Sequence, residues 1–300
     1  MLCAAIDIGS NTTRVLVAEP GDGQLRTVME QRAYTRIGKA SKQDGNIDAD
    51  KTAELGEVVS TQVRLAREVG AEAIRTVATA AIREAANGDS VAAAIAERAD
   101  VPVEILSEEE GRLAFIGATK TLGHPVDGEI GVVDVGGGSS EIILGTVPGG
   151  VRVVRSFKIG SGALAEDFLE GDPPSASEIR RLRDHIESFF EGVEIDHPEQ
   201  AVAVGGSATS LRRLVGAVLE YETLERAVRV LAGDPIAEVA RRFELDVRRV
   251  RILPAGVLLL EKLSELLGQP LQIGKGGLRE GVILDLLNGA TNGAPQSLAA

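Results

Sequence analysis

The hydrophobic and polar positions follow two kinds of pattern along the chain. Short apolar runs, rich in β-branched residues, end in glycine-containing turns and predict buried strands at Cys3–Ile8, Ile130–Val135 and 201–204. Apolar residues at three- and four-residue spacing predict helices between the strands. These helices are expected over residues 48–68, 80–98, 107–121, 177–190, 247–267 and 278–287. Strands alternating with helices predict an α/β protein with mixed sheets.

Two stretches of the chain share one plan. AAIDIGSNTTRVLVAE near the N-terminus and GVVDVGGGSSEIILGT at 131–146 both run from an apolar strand through an aspartate, a glycine-containing reversal and two hydroxyl residues into another apolar strand. Each stretch predicts a hairpin-like turn, and the repeat indicates a duplicated domain with one turn in each half. We expect a first domain over 1–122 and a second over 123–300, with the last helix free to pack on the first.

Such a turn is suited to anion binding. Glycines let backbone N–H groups point at one centre, and Ser and Thr add donors. The adjacent aspartate would repel a phosphate unless a cation lay between them, which fits Mg²⁺ or another divalent ion held by one or two carboxylates and the phosphates. Asp-Gly turns also simply close hairpins. Two copies in register favour the anion-binding interpretation.

Composition and charge narrow the class of protein. The chain has 300 residues, of which 44% are hydrophobic and 26% charged, as in a soluble globular protein with room for two cores. The net charge of −13 argues against nonspecific nucleic-acid binding. There is no apolar run of membrane-spanning length and no basic N-terminal segment, so we expect neither a membrane span nor a signal peptide, and a cytoplasmic location.

The cysteine and histidine content restricts the metal chemistry. Cys3 is the single cysteine, so no internal disulfide forms, and its place in a strand predicts a core position. The three histidines are scattered along the chain, which excludes a Cys/His metal site and leaves oxygen ligands. From residue 289 onward the periodicity ends, and we expect a frayed tail.

Six segments resemble one known family in the right order. They are DIGSNTTRVLV, TVATAAIREAANG, LSEEEGRLAF, VVDVGGGSSEI, AVGGSATSL and GKGGLREGVIL, and together they cover nearly the whole chain. DIGSNTTRVLV and VVDVGGGSSEI resemble the two phosphate loops of the acetate and sugar kinase, Hsp70 and actin superfamily. All six segments resemble more closely the exopolyphosphatase/guanosine pentaphosphate phosphohydrolase (Ppx/GppA) family. Ser140 stands where Thr is commoner in that family. The resemblance implies the short form, with two ribonuclease H-like (actin-like ATPase) domains of mixed sheets facing each other across a cleft.

The resemblance also implies a set of site residues. Glu110 would be the general base that orients and deprotonates the attacking water. Asp7, Asp134 and Glu141 would hold the Mg²⁺ or other divalent ion. The expected phosphate-binding residues are Ser10, Asn11, Thr12, Arg83, Gly136, Gly137, Gly138, Ser139, Ser140, Gly206, Ser207, Lys275 and Arg279.

Plainer structural roles remain open for several of these residues. Ser107 and Glu110 have the spacing of a capping box at a helix start. Arg83 would also suit a solvated helix face, Asn11 is a natural turn residue, and Glu141 can be an exposed strand position. The nine arginines between residues 212 and 251, against seven acidic residues, form either solvated helix faces or a path for a long polyanion.

The resemblance implies hydrolysis of a terminal phosphoanhydride, with inorganic polyphosphate or guanosine pentaphosphate as the substrate. An aromatic content of 3% slightly favours the inorganic polymer, because it offers no obvious platform for stacking a guanine. A kinase of the same superfamily is the alternative, and a non-catalytic polyphosphate or alarmone sensor is the second. No nucleic-acid or membrane partner is expected, and a homodimer is left open.

Overall fold

The computed structural model describes residues 1–22, 24–40 and 45–291 and divides them into two compact units. Unit 1 holds the described parts of Met1–Gly123 and Gly276–Ala300, and unit 2 is His124–Lys275. Unit 1 therefore includes the last helix, which we expected could pack on the first domain. The reason is that the last helix packs against a helix of unit 1, where a Cβ on Gly281 would stand only 1.8 Å from the carbonyl oxygen of Leu113.

Unit 1 contains a five-stranded mixed sheet. Its strands are β1 (Cys3–Ile8), β2 (Thr13–Gly21), β3 (Gln24–Ala33), β4 (Ala73–Ala78) and β5 (Val103–Ile105). Their order is β3-β2-β1-β4-β5. The strand β2 runs antiparallel to both neighbours, and β1, β4 and β5 are parallel.

The helices of unit 1 follow these strands. They are α1 (Ile37–Ala40), α2 (Ala49–Glu68), α3 (Ala80–Arg83), α4 (Gly88–Ala99), α5 (Glu108–Lys120) and, at the C-terminal end, α12 (Leu278–Thr291). Asp48 caps α2 by accepting a hydrogen bond from the amide of Lys51. Cys3 is fully buried, as the sequence predicts, in a cluster that also includes Val282 and Ile283 of α12.

Unit 2 repeats the strand order of unit 1. Its strands are β6 (Ile130–Val135), β7 (Ser140–Thr146), β8 (Gly150–Phe157), β9 (Gln200–Val204), β10 (Val218–Leu219) and β11 (Leu271–Ile273). The sheet order is β10-β11-β9-β6-β7-β8, so β6, β7, β8, β9 and β11 take the places of β1 to β5. This repeat confirms the predicted α/β class with two mixed sheets. It also confirms the duplication predicted from the two hairpins.

The helices of unit 2 surround one large apolar core. They are α6 (Ser161–Phe168), α7 (Ala176–Phe189), α8 (Gly205–Val215), α9 (Tyr221–Gly233), α10 (Ile236–Phe243) and α11 (Val247–Leu267). The predicted bounds of α11 are confirmed. This helix is buried along most of its length and packs on α6, α8 and α9, so it forms the centre of the unit.

Two predictions of helix extent are wrong. The helix expected over 80–98 is two helices, α3 and α4, because a close approach separates them: a Cβ on Gly88 would stand 2.1 Å from the carbonyl oxygen of Ile82. The side-chain amide of Asn87 instead bonds both backbone groups of Ile47. The tail expected to fray from residue 289 is helical as far as Thr291, and the rest of it lies outside the described residues.

In the part of the chain that the structure describes, no helix combines the length and the apolar character needed to cross a bilayer.

Candidate active site

The first glycine-containing loop, Gly9 to Thr12, joins β1 to β2. Its ends are closed by a hydrogen bond from the amide of Gly9 to the carbonyl of Thr12, at 3.1 Å. The carbonyls of Ser10 and Asn11 accept from the amides of Gly38 and Arg36, at 3.0 and 3.1 Å. The carbonyl groups of this loop are therefore used to hold it against the start of α1.

The second loop, Gly136 to Ser139, joins β6 to β7 with the same hydrogen bond, from the amide of Gly136 to the carbonyl of Ser139 at 2.9 Å. The carbonyls of Gly136 and Gly137 accept amide hydrogens from the first residues of α6. The two loops are thus the same turn, held in the same way by the helix that follows the third strand of each sheet. The prediction of a hairpin-like turn used twice is confirmed.

This arrangement leaves N–H groups of both loops available. Within residues 1–22, 24–40 and 45–291, the amides of Asn11, Thr12, Gly137 and Gly138 make no hydrogen bond, and neither does the hydroxyl of Ser139. Outward-facing amides between small residues form a concave donor surface for an anion. Each loop therefore has amide donors that could bind an anion.

Three segments of unit 1 meet at one edge of its sheet. Ile8, Ala78 and Ile105, the last residues of β1, β4 and β5, lie side by side in the parallel register. The first loop, the start of α3 and the start of α5 follow these three positions. In open α/β sheets, ligands bind at the carboxyl ends of the parallel strands, so this edge is the part of unit 1 where a site is expected.

Arg83 and Glu110 are brought together at this edge. Nη1 of Arg83 donates to Oε2 of Glu110 at 2.5 Å and to the carbonyl oxygen of Leu106 at 2.6 Å. The two side chains are mostly buried, with 27% and 18% of their surface exposed. Within the described residues, the other guanidinium nitrogens of Arg83 make no hydrogen bond. Arg83 can therefore hold the carboxylate with one nitrogen and an anion with the others.

The carboxylate of Asp7 lies beside the first loop in a charged surrounding. Its Oδ1 is buried and has no hydrogen-bond partner among the described residues. Burial raises the pKa of Asp7 above its ordinary value, and the nearby guanidinium groups of Arg14 and Arg279 act in the opposite direction. Arg279 is itself ion-paired with Glu30 at 2.9 Å. Oδ1 of Asp7 is thus a buried acceptor with no hydrogen-bond donor among the described residues.

The second aspartate occupies the matching position in unit 2. Asp134 pairs with Glu141 across β6 and β7, so both carboxylates lie on one face of the sheet. Oε1 of Glu141 accepts a hydrogen bond from Ser156 at 3.0 Å. Gly205, at φ +83°, lies against Asp134, and a Cβ there would stand 2.3 Å from Oδ1 of that carboxylate. Gly205, which lies in the AVGGSATSL segment, makes room for Asp134, a role that the sequence did not indicate.

Two of the predicted phosphate contacts, those of the Ser140 and Ser207 hydroxyl groups, are wrong. Ser140 is fully buried and its hydroxyl donates to the carbonyl of Ile159 at 2.7 Å. Ser207 is also fully buried, and its hydroxyl donates to Ser161, whose own hydroxyl donates to the carbonyl of Gly136. These hydroxyls support the second loop from its core side, because their positions on β7 and α8 face the core.

The capping box predicted at Ser107 and Glu110 is absent. Ser107 is the N-cap of α5, but its side chain makes no capping hydrogen bond, and the carboxylate of Glu110 is turned to Arg83. A capping box does form at Ser175 and Glu178, at the start of α7. The pKa of Glu178 falls to about 2, because the hydroxyl of Ser175 and the amides of Gly171, Ser175 and Glu170 all donate to its carboxylate.

The surroundings differ among the other predicted binding positions, which are Lys275, Gly206 and the arginines between residues 212 and 251. Lys275 is exposed after β11, with no ion pair or hydrogen bond among the described residues. Gly206 lies against the guanidinium of the buried Arg249, 2.7 Å from the position of an added Cβ. Arg213, Arg241 and Arg242, three of the arginines considered for a polyanion path, pair with nearby acidic residues on exposed helix faces.

The carboxylates present suit a divalent ion that keeps most of its own waters. Among the residues that the structure describes, no group of three or more Asp, Glu, His or Cys side chains is close enough to hold a metal by itself. The unpartnered buried oxygen of Asp7 and the Asp134–Glu141 pair are oxygen donors of the kind that Mg²⁺ prefers. Such an ion would take its remaining ligands from water and substrate phosphates.

Two units that repeat one strand order, each with a glycine-containing hairpin after its first strand, define an α/β protein of the actin-like ATPase fold. The chain belongs to the Ppx/GppA phosphatase family, whose model matches residues 16–290. Family membership makes the protein a hydrolase that releases phosphate.

Comparison with known proteins agrees over almost the full length. The chain is 28% identical to exopolyphosphatase 1 of Mycobacterium leprae over 312 residues, covering 98% of this chain and 91% of that protein. It is 29% identical to exopolyphosphatase 2 of Mycobacterium tuberculosis, covering 94% and 96%. The crystal structure of the Aquifex aeolicus Ppx/GppA family member superposes with a TM-score of 0.80 at 30% identity, covering 98% of this chain and 99% of that chain.

Proposed function

We propose that the protein is an exopolyphosphatase that hydrolyses the terminal phosphoanhydride of inorganic polyphosphate, with the 5′ γ-phosphate of guanosine pentaphosphate as a second substrate of the same site. The names of the two mycobacterial relatives support polyphosphate. The observation that carries the proposal is the pairing of Arg83 with Glu110 at the edge where the first loop begins.

Glu110 is suited to act as the general base. Its carboxylate is mostly buried and fixed by the bond from Arg83, so a water held by it would be aimed in one direction. That water attacks the terminal phosphorus, Glu110 accepts the proton, and the bond from phosphorus to the bridging oxygen breaks. The products are orthophosphate and a chain shorter by one phosphate.

The two loops would bind the phosphate chain before and during this step. The free amides of Asn11, Thr12, Gly137 and Gly138 donate to phosphate oxygens, and so does the guanidinium of Arg83. Catalysis is then mostly positioning and stabilisation of charge, as in other phosphoryl transfers. We propose that each loop binds phosphate groups in this way, and that Lys275 and Arg279 bind further phosphates of the substrate.

Asp7 in unit 1, and Asp134 with Glu141 in unit 2, are the proposed oxygen donors for a divalent ion, with Mg²⁺ as the proposed species. When bound, the ion offsets the negative charge of the phosphate oxygens and of the nearby carboxylates. The buried, unpartnered Oδ1 of Asp7 supports this role.

The test is phosphate release by the purified protein from polyphosphate and from guanosine pentaphosphate, side by side, with Mg²⁺ and with a chelator. We expect release from polyphosphate without any added acceptor, and loss of that release with the chelator. Release that requires a nucleoside diphosphate or sugar acceptor would support the kinase alternative. The absence of release from both substrates would contradict the proposal.

A further inference from the structure

Five charged side chains form a network at the start of α5, next to the turn that carries Glu110. Arg75 on β4 makes a bidentate contact with Glu104 on β5, at 3.0 and 3.1 Å. Its Nη1 donates to Asp285 on α12 at 2.9 Å, and its Nη2 lies 3.4 Å from Glu109. Arg112, one turn along α5, donates to Glu109 at 2.7 Å.

This network replaces the cap that α5 lacks. Ser107 makes no side-chain capping bond, so the first turn of α5 has no local hydrogen bond from its N-cap side chain. Glu109 in that turn is held by the two arginines instead. The pKa of Glu109 lies below its ordinary value, because the hydrogen bond from Arg112 and the charge of Arg75 outweigh the opposing effect of burial.

The burial of Arg75 distinguishes it from an ordinary surface pair. Its side chain is 18% exposed, whereas an exposed ion pair contributes only about 0–1 kcal/mol to stability. A bidentate, mostly buried guanidinium has a fixed direction. Arg75 also bonds Asp285 on α12, the helix that carries Arg279 in its first turn, so one guanidinium joins β4, β5, α5 and α12.

We propose that Arg75 is a positioning residue for the reaction: through Glu109 it fixes the first turn of α5 and so the direction of the neighbouring carboxylate of Glu110. Arg75 acts through Glu109 and has no direct contact with the proposed substrate. The inference rests on the proposed role of Glu110. Its consequence is specific: the loss of Arg75 should slow the chemical step and leave substrate binding intact, because the loops that bind phosphate are elsewhere.

The experiment compares Arg75→Met and Arg75→Lys with the matched control Arg64→Met, which removes an exposed arginine paired with Glu68 in the same unit. Steady-state kcat and KM for phosphate release from polyphosphate are measured per folded molecule, with the folded fraction taken from circular dichroism. We expect kcat of Arg75→Met to fall roughly 10- to 100-fold with KM within about twofold, as for other small misplacements of a catalytic group. Arg75→Lys should recover part of the loss, and Arg64→Met should match the wild type.

A kcat of Arg75→Met within about twofold of the wild type, or a proportional rise of KM, would overturn the inference. If Arg75→Met does not fold, Glu109→Gln decides, because Glu109 is partly exposed: a fall in kcat at constant KM supports the inference, and unchanged kcat overturns it. If the wild type releases phosphate and the variant has an unchanged kcat, this inference alone is overturned. A wild type that releases no phosphate overturns the proposed function and this inference with it.

Discussion

Nη1 of Arg83 and Oε2 of Glu110 form an ion pair that joins the segment after β4 to the segment after β5. The pair combines a permanent donor for phosphate with a carboxylate for water, and it lies at the sheet edge where the first loop begins. Neither residue is near the other in sequence, so the pairing is a property of the fold.

The Arg83 side chain should be needed in the transition state. We expect Arg83→Met to lower kcat for phosphate release roughly 10²- to 10³-fold, because both an electrostatic donor and the support of Glu110 are lost. Arg83→Lys should recover little, since a single ammonium cannot contact Glu110, Leu106 and a phosphate together. The control is Arg98→Met, an exposed arginine paired with Glu57 in the same unit. An unchanged kcat in Arg83→Met would show that the pair is only structural.

Gly205 should be needed for the position of Asp134. A methyl group in Gly205→Ala would meet Oδ1 of Asp134, and the residue has φ +83°, so we expect a loss of about 1–3 kcal/mol in unfolding free energy and a higher Mg²⁺ requirement. Gly216→Ala is the matched control, because Gly216 also has a positive φ, +100°, but has open space around it. Equal effects of the two substitutions on the Mg²⁺ requirement would indicate backbone strain alone.

The contact between α5 and α12 should be intolerant of a single methyl group. In Gly281→Ala the new carbon would lie 1.8 Å from the carbonyl oxygen of Leu113, and we expect a loss of about 1–3 kcal/mol in unfolding free energy. Gly289→Ala, later in the same helix, meets nothing within 4 Å and should stabilise the helix by up to about 1 kcal/mol. Urea unfolding of both variants checks the sign. A stabilised Gly281→Ala would contradict the packing.

The sequence revealed the elements whose signals are local. The two hairpins, the bounds of α11 and the burial of Cys3 follow from apolar periodicity and turn residues, which act over a few positions. The break between α3 and α4 did not, because it depends on the approach of Gly88 to Ile82.

The site was harder to predict in its details. Burial of the Ser140 and Ser207 hydroxyls depends on which face of their strand or helix meets the core. The capping box predicted at Glu110 does not form, because its carboxylate pairs with Arg83 from another segment. The residues that position the site, such as Gly205 and Arg75, act on partners that lie far away in the sequence, and a single sequence carries no signal for such pairings.

Glu178 should make the stability of the protein depend on pH in the acid range. Its pKa falls from 4.5 to about 2 in the folded state, so its stabilising effect is complete above the unfolded value and is lost as the pH falls from about 4.5 towards 2. We expect Glu178→Gln to lower the unfolding free energy at pH 7 and to differ less from the wild type at pH 3. Denaturant unfolding at both pH values measures this. A difference that is constant with pH would contradict the assignment.

The most direct test of the central claim is the Glu110→Gln variant, assayed for phosphate release from polyphosphate and for equilibrium binding of polyphosphate. Glu108→Gln, an exposed neighbour on the same turn, is the control. The general-base role predicts that kcat of Glu110→Gln falls roughly 10²- to 10⁴-fold while its Kd stays close to that of the wild type, and that Glu108→Gln is unaffected. Hydrolysis by Glu110→Gln at the wild-type rate, or an equal loss of binding and hydrolysis, would contradict it.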